Sequence, residues 1–223
     1  MALVFDIETA GHRFEELPPT AQEFLLRYCT SPEEQELEKR RTGLSPFTAE
    51  VVCVALYDTE KAVGLIIARP GTQPVPREES VSWTAAEDEP ALLEWFWRVV
   101  GRNAGKPVVS FNGRSFDVPF LTVRSGILGV KVSRDLLGHR YSTEVHIDLY
   151  DQLRFQNAAR WRVNLDLACR TFGIASPKSE EAHGYLVQDM WEQGRGVDIA
   201  RYCYGDVLAT AELYRRWQEF MLP

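Results

Sequence analysis

At 223 residues the chain fits one large domain or at most two small ones, and 45% hydrophobic with 26% charged residues excludes wholesale disorder. No apolar run reaches the length of a membrane span. The net charge of −7 argues against wrapping duplex nucleic acid on a broad basic surface, though not against a short strand held at a cation-binding acidic site.

The run Leu3-Val4-Phe5-Asp6-Ile7-Glu8-Thr9 predicts a strand with Phe5, Ile7 and Thr9 on one face, Asp6 and Glu8 on the other. The two carboxylates then stand roughly 7 Å apart along the strand. Paired acids repel and lose hydration unless a cation sits between them, and a hard divalent ion is the natural partner. Taken alone, the segment fits equally an edge strand with a solvated acidic face.

Ala10-Gly11 ends this strand, and Thr20-Ala21-Gln22-Glu23 is a capping box opening a helix whose apolar face would use Phe24, Leu25 and Tyr28. Ser31-Pro32 caps a second helix that runs through Leu37 to the basic cluster Lys39-Arg40-Arg41, with Gly43 as its C-cap. These cations either complement the helix dipole or touch phosphates if the helical pair folds over a site. Residues 51–57 and 64–68 predict a hairpin of buried strands, and 69–82 a loop. Residues 87–100, with Leu92, Leu93, Trp95, Phe96 and Val99, predict an amphipathic helix.

Gly101 to Pro107 has a superficial likeness to a phosphate loop. It lacks the spacing and the Ser/Thr after Lys106, and a strand follows, so it is a linker. A strand over 107–111 ends in Asn112-Gly113-Arg114-Ser115-Phe116-Asp117, which leads into a helix to about Ser125. The tight Asn112-Gly113 turn lets the backbone approach a ligand, and Asp117 falls in a first helical turn, where the dipole favours a carboxylate. A strand over 145–149, helices from 150 and over 164–172, and a long helix from about Asp198 to Phe220 complete the chain. On the last helix Tyr202 and Asp206 are four apart, and Asp206 shares the core-facing stripe of Ile199, Cys203, Leu213 and Trp217, where an acid is unexpected. Three opening strands followed by alternating helices and strands make a mixed α/β sheet.

FDIE at 5–8, NGRSFD at 112–117 and YCYGD at 202–206 resemble, in order and approximate spacing, the three motifs of the DEDD 3′–5′ exonucleases. LSPF at 44–47, HIDLYDQL at 146–153 and NLDLAC at 164–169 narrow the resemblance to free-standing bacterial proteins similar to the proofreading domain of family-B DNA polymerases. The resemblance implies a ribonuclease-H-like fold: three antiparallel opening strands, then parallel strands, with helices on both faces. It implies one exonuclease domain over 1–223, interrupted by a helical insertion at about 12–46. It also implies that Asp6, Glu8, Asp117 and Asp206 bind two divalent cations, Mg²⁺ or Mn²⁺. Tyr202 marks the tyrosine subclass, since the position a histidine subclass member would need is Arg201.

The implied reaction is hydrolysis of phosphodiester bonds at the 3′ end of a single strand, DNA favoured over RNA, releasing 5′-mononucleotides by a two-cation mechanism. Tyr202 would orient the attacking water. Thr9, Asn112 and Phe116 are the substrate-binding candidates, with Phe116 equally suited to the core. Asp148 suits a structural hydrogen bond, while Asp151 and Asp166 look like helix-start residues. Arg114, Arg140, Arg154, Arg160 and Arg162 are candidate backbone contacts, and His183-Gly184 lies where it could touch substrate. Alternatives are an RNA 3′-end trimming enzyme and a non-catalytic nucleic-acid-binding protein. Partners would be single-stranded 3′ ends and DNA repair or replication proteins, with no membrane. Four dispersed cysteines without a CxxC pair, and an N-terminus without a basic leader, set the expected location as cytoplasmic.

Overall fold

A computed structural model describes residues 1–76, 80–176 and 186–222. Its centre is β1 (Leu3–Gly11), joined antiparallel to β2 (Ala49–Asp58), which pairs antiparallel with β3 (Val63–Ala68). On the other side β5 (Val108–Ser110) and β6 (His146–Asp148) run parallel to β1. The sheet order is β4-β3-β2-β1-β5-β6. The edge strand β4 (Val81–Ala85), parallel to β3, corrects the expected loop over 69–82. Five residues with partial burial carry too little periodicity to announce an edge strand.

Both faces of the sheet are covered, as in the ribonuclease-H-like fold. Leu3, Phe5 and Ile7 of β1 pack with α3 (Glu89–Arg102) and α4 (Asp117–Leu128), where Phe96, Trp97 and Leu121 are buried. Ala2, Val4 and Ala10 face α8 (Gly196–Phe220), through Ile199, Cys203 and Val207. Even-numbered β1 positions therefore look toward α8, which decides where Asp6 and Glu8 point. Between Glu8 and Thr9 the β1–β2 register slips: Glu8 pairs with Cys53 and Thr9 with Val51, leaving Val52 as the extra residue of a bulge.

Three shorter helices, α5 (Leu149–Leu153), α6 (Leu165–Thr171) and α7 (Leu186–Glu192), lie near α8. The segment between β1 and β2 holds α1 (Pro19–Leu26) and α2 (Pro32–Lys39). Ser31 caps α2 as its sequence predicts, accepting from Glu34 N–H at 3.2 Å. The capping box at Thr20 does not form: α1 begins at Pro19 with Pro18 before it and no side-chain cap. Phe24 and Tyr28 stand in solvent instead of forming an apolar face.

Gly43 is not a C-cap either, since α2 stops at Lys39 and Gly43 sits in a 3-10 turn over Thr42–Leu44. That turn presses on the end of β1, where a Cβ on Gly11 would lie 2.5 Å from the Gly43 amide nitrogen. A buried ion pair anchors the next segment: Arg124 of α4 bonds Glu89 of α3 (Nε to Oε1 2.9 Å) and the Pro46 carbonyl, while Glu89 accepts from Val51 N–H. Among the described residues no helix is long and apolar enough to cross a membrane.

Candidate active site

The site forms where β1 and β5 part. Their pairing ends at Val4 and Val109, so the Ile7 N–H has no strand partner on that side. Asp117 supplies one, its Oδ1 accepting from Ile7 N–H at 3.1 Å. This bond ties the first turn of α4 to the strand that carries Asp6 and Glu8.

The turn before it is built to aim Asp117. Asn112 takes a left-handed conformation (φ 68°), and its carbonyl accepts from Ser115 and Phe116 N–H. Asp148 at the end of β6 accepts from Asn112, Arg114 and Tyr150 N–H groups, at 2.8, 2.9 and 3.0 Å. Gly113 donates to Ser110 Oγ, which bonds His146 Nε2 at 2.7 Å. Burial drives the His146 pKa down to about 3, so the imidazole is neutral and serves the turn as an uncharged partner. Asp148 thus has the structural role its position suggested, and Asn112 shapes the turn with its backbone.

From the opposite side α8 presents Tyr202, Cys203 and Asp206 toward β1. The Cys203 thiol lies 3.4 Å from the Asp6 carbonyl oxygen and 3.6 Å from its carboxylate. Donor atoms of Asp6, Glu8 and Cys203 all fall within 4.8 Å of one another. Burial, then the charges of Asp117, Asp206 and Glu8, lifts the Asp6 carboxyl well above its ordinary pKa. Asp117, only 3% exposed, is pushed up to about 7, chiefly by burial with Asp148 and Asp206 adding to it. Burial and then Asp206, Glu8 and Asp6 raise the Tyr202 phenol, which hydrogen-bonds Asp206.

Asp6 and Asp117 are thus raised by burial first and then by neighbouring acids, among which Asp206 acts on both and Glu8 on Asp6. An oxygen-rich donor set of this kind fits a hard divalent cation.

Beside the acids opens a pocket of about 270 Å³, lined by Glu8, Thr9, Arg40, Gly43, Leu44, Phe116 and Gln188. Two of the three substrate-binding candidates, Thr9 and Phe116, line it; Asn112 does not. Thr9 Oγ1 donates to the Gly43 carbonyl at 2.7 Å, so the strand end and the 42–44 turn form one wall. Within the basic cluster Lys39 pairs with Glu36 and Arg41 with Glu38, while Arg40 lines the pocket.

Residues 62–221 match a family described as a predicted 3′–5′ exonuclease related to the exonuclease domain of PolB. The chain belongs to this family.

Over 153 residues it is 31% identical to a DNA polymerase of Desulfurococcus sp. (strain Tok), spanning 62% of this chain and 19% of the polymerase. A DNA polymerase of Pyrococcus glycovorans is 27% identical over 146 residues, 58% of this chain and 18% of its own length. The chain thus spans about a fifth of these relatives. The structure of the family B DNA polymerase from the archaeon Pyrobaculum calidifontis superimposes with a TM-score of 0.62 at 20% identity, over 97% of this chain and 24% of that one. It shares the fold. The matched family span holds Asp117, Tyr202 and Asp206, whereas Asp6 and Glu8 precede it and join them through β1.

The remaining arginine candidates of this PolB-like exonuclease chain divide. Arg114 is spent on the carbonyls of His139, Ser142 and His146, and Arg140 faces Asp151 at 3.5 Å. Arg154 lies over the Tyr150 ring, while Arg160 and Arg162 are exposed. Asp166 sits in the first turn of α6, behind its Asn164 cap. His183 and Gly184 lie outside the described residues. Cys203 was missed as a neighbour of Asp6, although its position beside Tyr202 on the core stripe was a usable signal. Nothing in the sequence marked Gln188.

Proposed function

We propose that this chain is a metal-dependent 3′–5′ exonuclease that hydrolyses phosphodiester bonds at the 3′ ends of single-stranded DNA, releasing 5′-mononucleotides. One observation carries this: burial, and then the charges of Asp117, Asp206 and Glu8, brought together from three distant segments, raise the Asp6 carboxyl, with Tyr202 bonded to Asp206. Asp6, Glu8, Asp117 and Asp206 would hold two divalent cations, Mg²⁺ or Mn²⁺. When bound, the ions supply charge stabilisation at the scissile phosphate and acidify the attacking water.

The protein's own groups do the positioning. A phenol whose pKa is raised stays protonated at neutral pH, so Tyr202 orients the water by hydrogen bond and does not take its proton. Asp117, held to Ile7 N–H, keeps one fixed direction. The pocket floored by Thr9 and Phe116 receives the terminal nucleotide, and Arg40 reaches its phosphate from the insertion. The DNA polymerases among the relatives favour DNA over RNA as substrate.

The test is an end-labelled single strand incubated with Mg²⁺ or Mn²⁺ and then with chelator, DNA and RNA side by side. Mononucleotides should appear from the 3′ end only with cation, and faster from DNA. Asp117→Ala should abolish the reaction, and Tyr202→Phe should slow it on the order of a hundredfold. An Asp117→Ala protein that retains full activity ends the assignment. Binding without cleavage under all conditions would leave a nucleic-acid-binding protein on this fold.

A further inference from the structure

We propose that the loop over residues 154–163 is a second, non-catalytic grip on the single strand, stacking bases upstream of the 3′ end on Phe155 and Trp161. This rests on the exonuclease reading above and extends it to where the rest of the strand lies.

The loop lies at the same end of the sheet as the acids. β5 and β6 run parallel to β1, so their carboxyl ends, at Ser110 and Asp148, share the end toward which β1 carries Asp6 and Glu8. The chain leaves β6 directly into α5 and then enters the loop after Leu153. A row of flat groups bridges the interval. Phe111, beside Asn112, meets Tyr150 edge-on at 5.8 Å, and the Arg154 guanidinium lies 4.7 Å from the Tyr150 ring centre.

Beyond Arg154 the rings are open to solvent. Phe155 is 60% and Trp161 55% exposed, and their centroids sit 6.3 Å apart in an edge-to-face pair. Two large rings that contact each other but leave most of their surface in water do not serve a core. Phe155, Gln156 and Asn157 are successive residues of positive φ (49°, 55° and 72°), a conformation that residues with a β-carbon disfavour. Backbone bonds from Gln156 N–H to the Asp151 carbonyl and from Ala159 N–H to that of Arg154 hold the turn. The strained turn presents Phe155 outward instead of letting it fold in.

Charge selects the occupant. Residues 154–163 contain Arg154, Arg160 and Arg162 and no acid, in a chain whose net charge is −7. Among the described residues no ion pair engages Arg160 or Arg162. Exposed rings interleaved with arginines are the components of a sequence-tolerant single-strand platform. Another exposed aromatic–arginine group, Phe24, Arg27 and Tyr28, packs beside α2 with its glutamates 33, 34, 36 and 38, which repel a polyanion.

The experiment compares the full chain with a Phe155→Ala/Trp161→Ala variant and, separately, an Arg160→Gln/Arg162→Gln variant. Binding of a fluorescent DNA strand of about 15 nucleotides is measured by anisotropy in chelator, and hydrolysis of that strand and of a trinucleotide is measured with Mg²⁺. Removing the two rings should weaken binding of the long strand at least about tenfold and raise its KM equally. Its kcat and the trinucleotide's hydrolysis should hold. Losing the two arginines should flatten the dependence of log affinity on log salt by about 1.4. The proposal is overturned if long and short substrates suffer alike, if neither does, or if blunt duplex binds with the same sensitivity to the ring substitutions. Wild-type protein that binds the long strand through these residues but cleaves nothing would sink the exonuclease reading alone. Normal cleavage with unaltered variant binding would sink the platform alone.

Discussion

The buried position of Asp117 costs the fold stability once its carboxyl ionises. Its carboxyl is buried among other acids, with a pKa of about 7 against roughly 4 for an unfolded aspartate. Below about pH 4 both states are protonated and the group is neutral to stability. As pH rises toward 7 the unfolded chain releases its proton and the folded one resists, so stability falls; above 7 the penalty is complete. Asp117→Asn removes the charge but keeps an oxygen for the Ile7 N–H. In chelator at pH 8 it should therefore stabilise the protein, on the order of 2 kcal/mol, while making no difference near pH 4. Urea unfolding at the two pH values decides it, and a variant no more stable at pH 8 refutes the strain. The sequence made these acids legible because Asp6 and Glu8 alternate with core residues and Asp206 interrupts a core stripe. It could not reveal that Asp117 bonds β1, because that contact spans 110 residues and depends on where two strands part.

The segment between β1 and β2 lies largely at the surface. Its helices α1 and α2 bury no side chain fully, yet its final turn touches β1 through Gly11, Gly43 and the Thr9 hydroxyl. Support for the pocket thus comes from the 42–44 turn, and the helices contribute Arg40. Deleting 20–42 should raise KM for DNA more than it lowers turnover. Arg40→Ala should account for most of that rise, about tenfold, as expected for one charge-assisted phosphate contact. Arg41→Ala, already paired with Glu38, should fall within about twofold of wild type. Equal effects from both arginines would show that only general positive charge matters.

The same region shows where local signals mislead. Ser31-Pro32 worked as a cap because Ser31 precedes a proline that fits the first turn, whereas at Thr20 the neighbouring prolines 18 and 19 had already started the helix. Gly43 was read as a helix stop, but it sits in the 42–44 turn, and the close approach there needs Gly11 to lack a side chain. Strand β1 was legible from its alternation and β2 and β3 from their continuous apolar runs; β4, short and at the edge, was not.

At the scale of the whole molecule, the net charge of −7 is unevenly placed. Acids converge where β1 meets α8, and arginines without an acid follow one strand-end away, over 154–163. Cations bound at the acids would offset the burial and the repulsion that lift the Asp6 and Asp117 pKa values, and only the folded chain assembles that donor set. Binding to the folded state alone stabilises by about 2.7 kcal/mol at a hundredfold excess over Kd, which for a domain of this size is roughly 5–10 °C in Tm. Protons compete for the same oxygens, so the gain depends on pH. Mg²⁺ or Mn²⁺ should raise Tm by that amount at pH 8, where Asp117 is mostly ionised. Near pH 5, where Asp117 is mostly protonated, the gain should be small. Ca²⁺ provides a control, since a larger oxygen-seeking cation tests the charge of the cluster apart from turnover. Calorimetric scans at both pH values, with each ion and with chelator, make the comparison. A Tm rise that is equal at pH 5 and pH 8, or that survives neutralising Asp6 and Asp117 together, would place the ions elsewhere and break the link between these acids and the reaction.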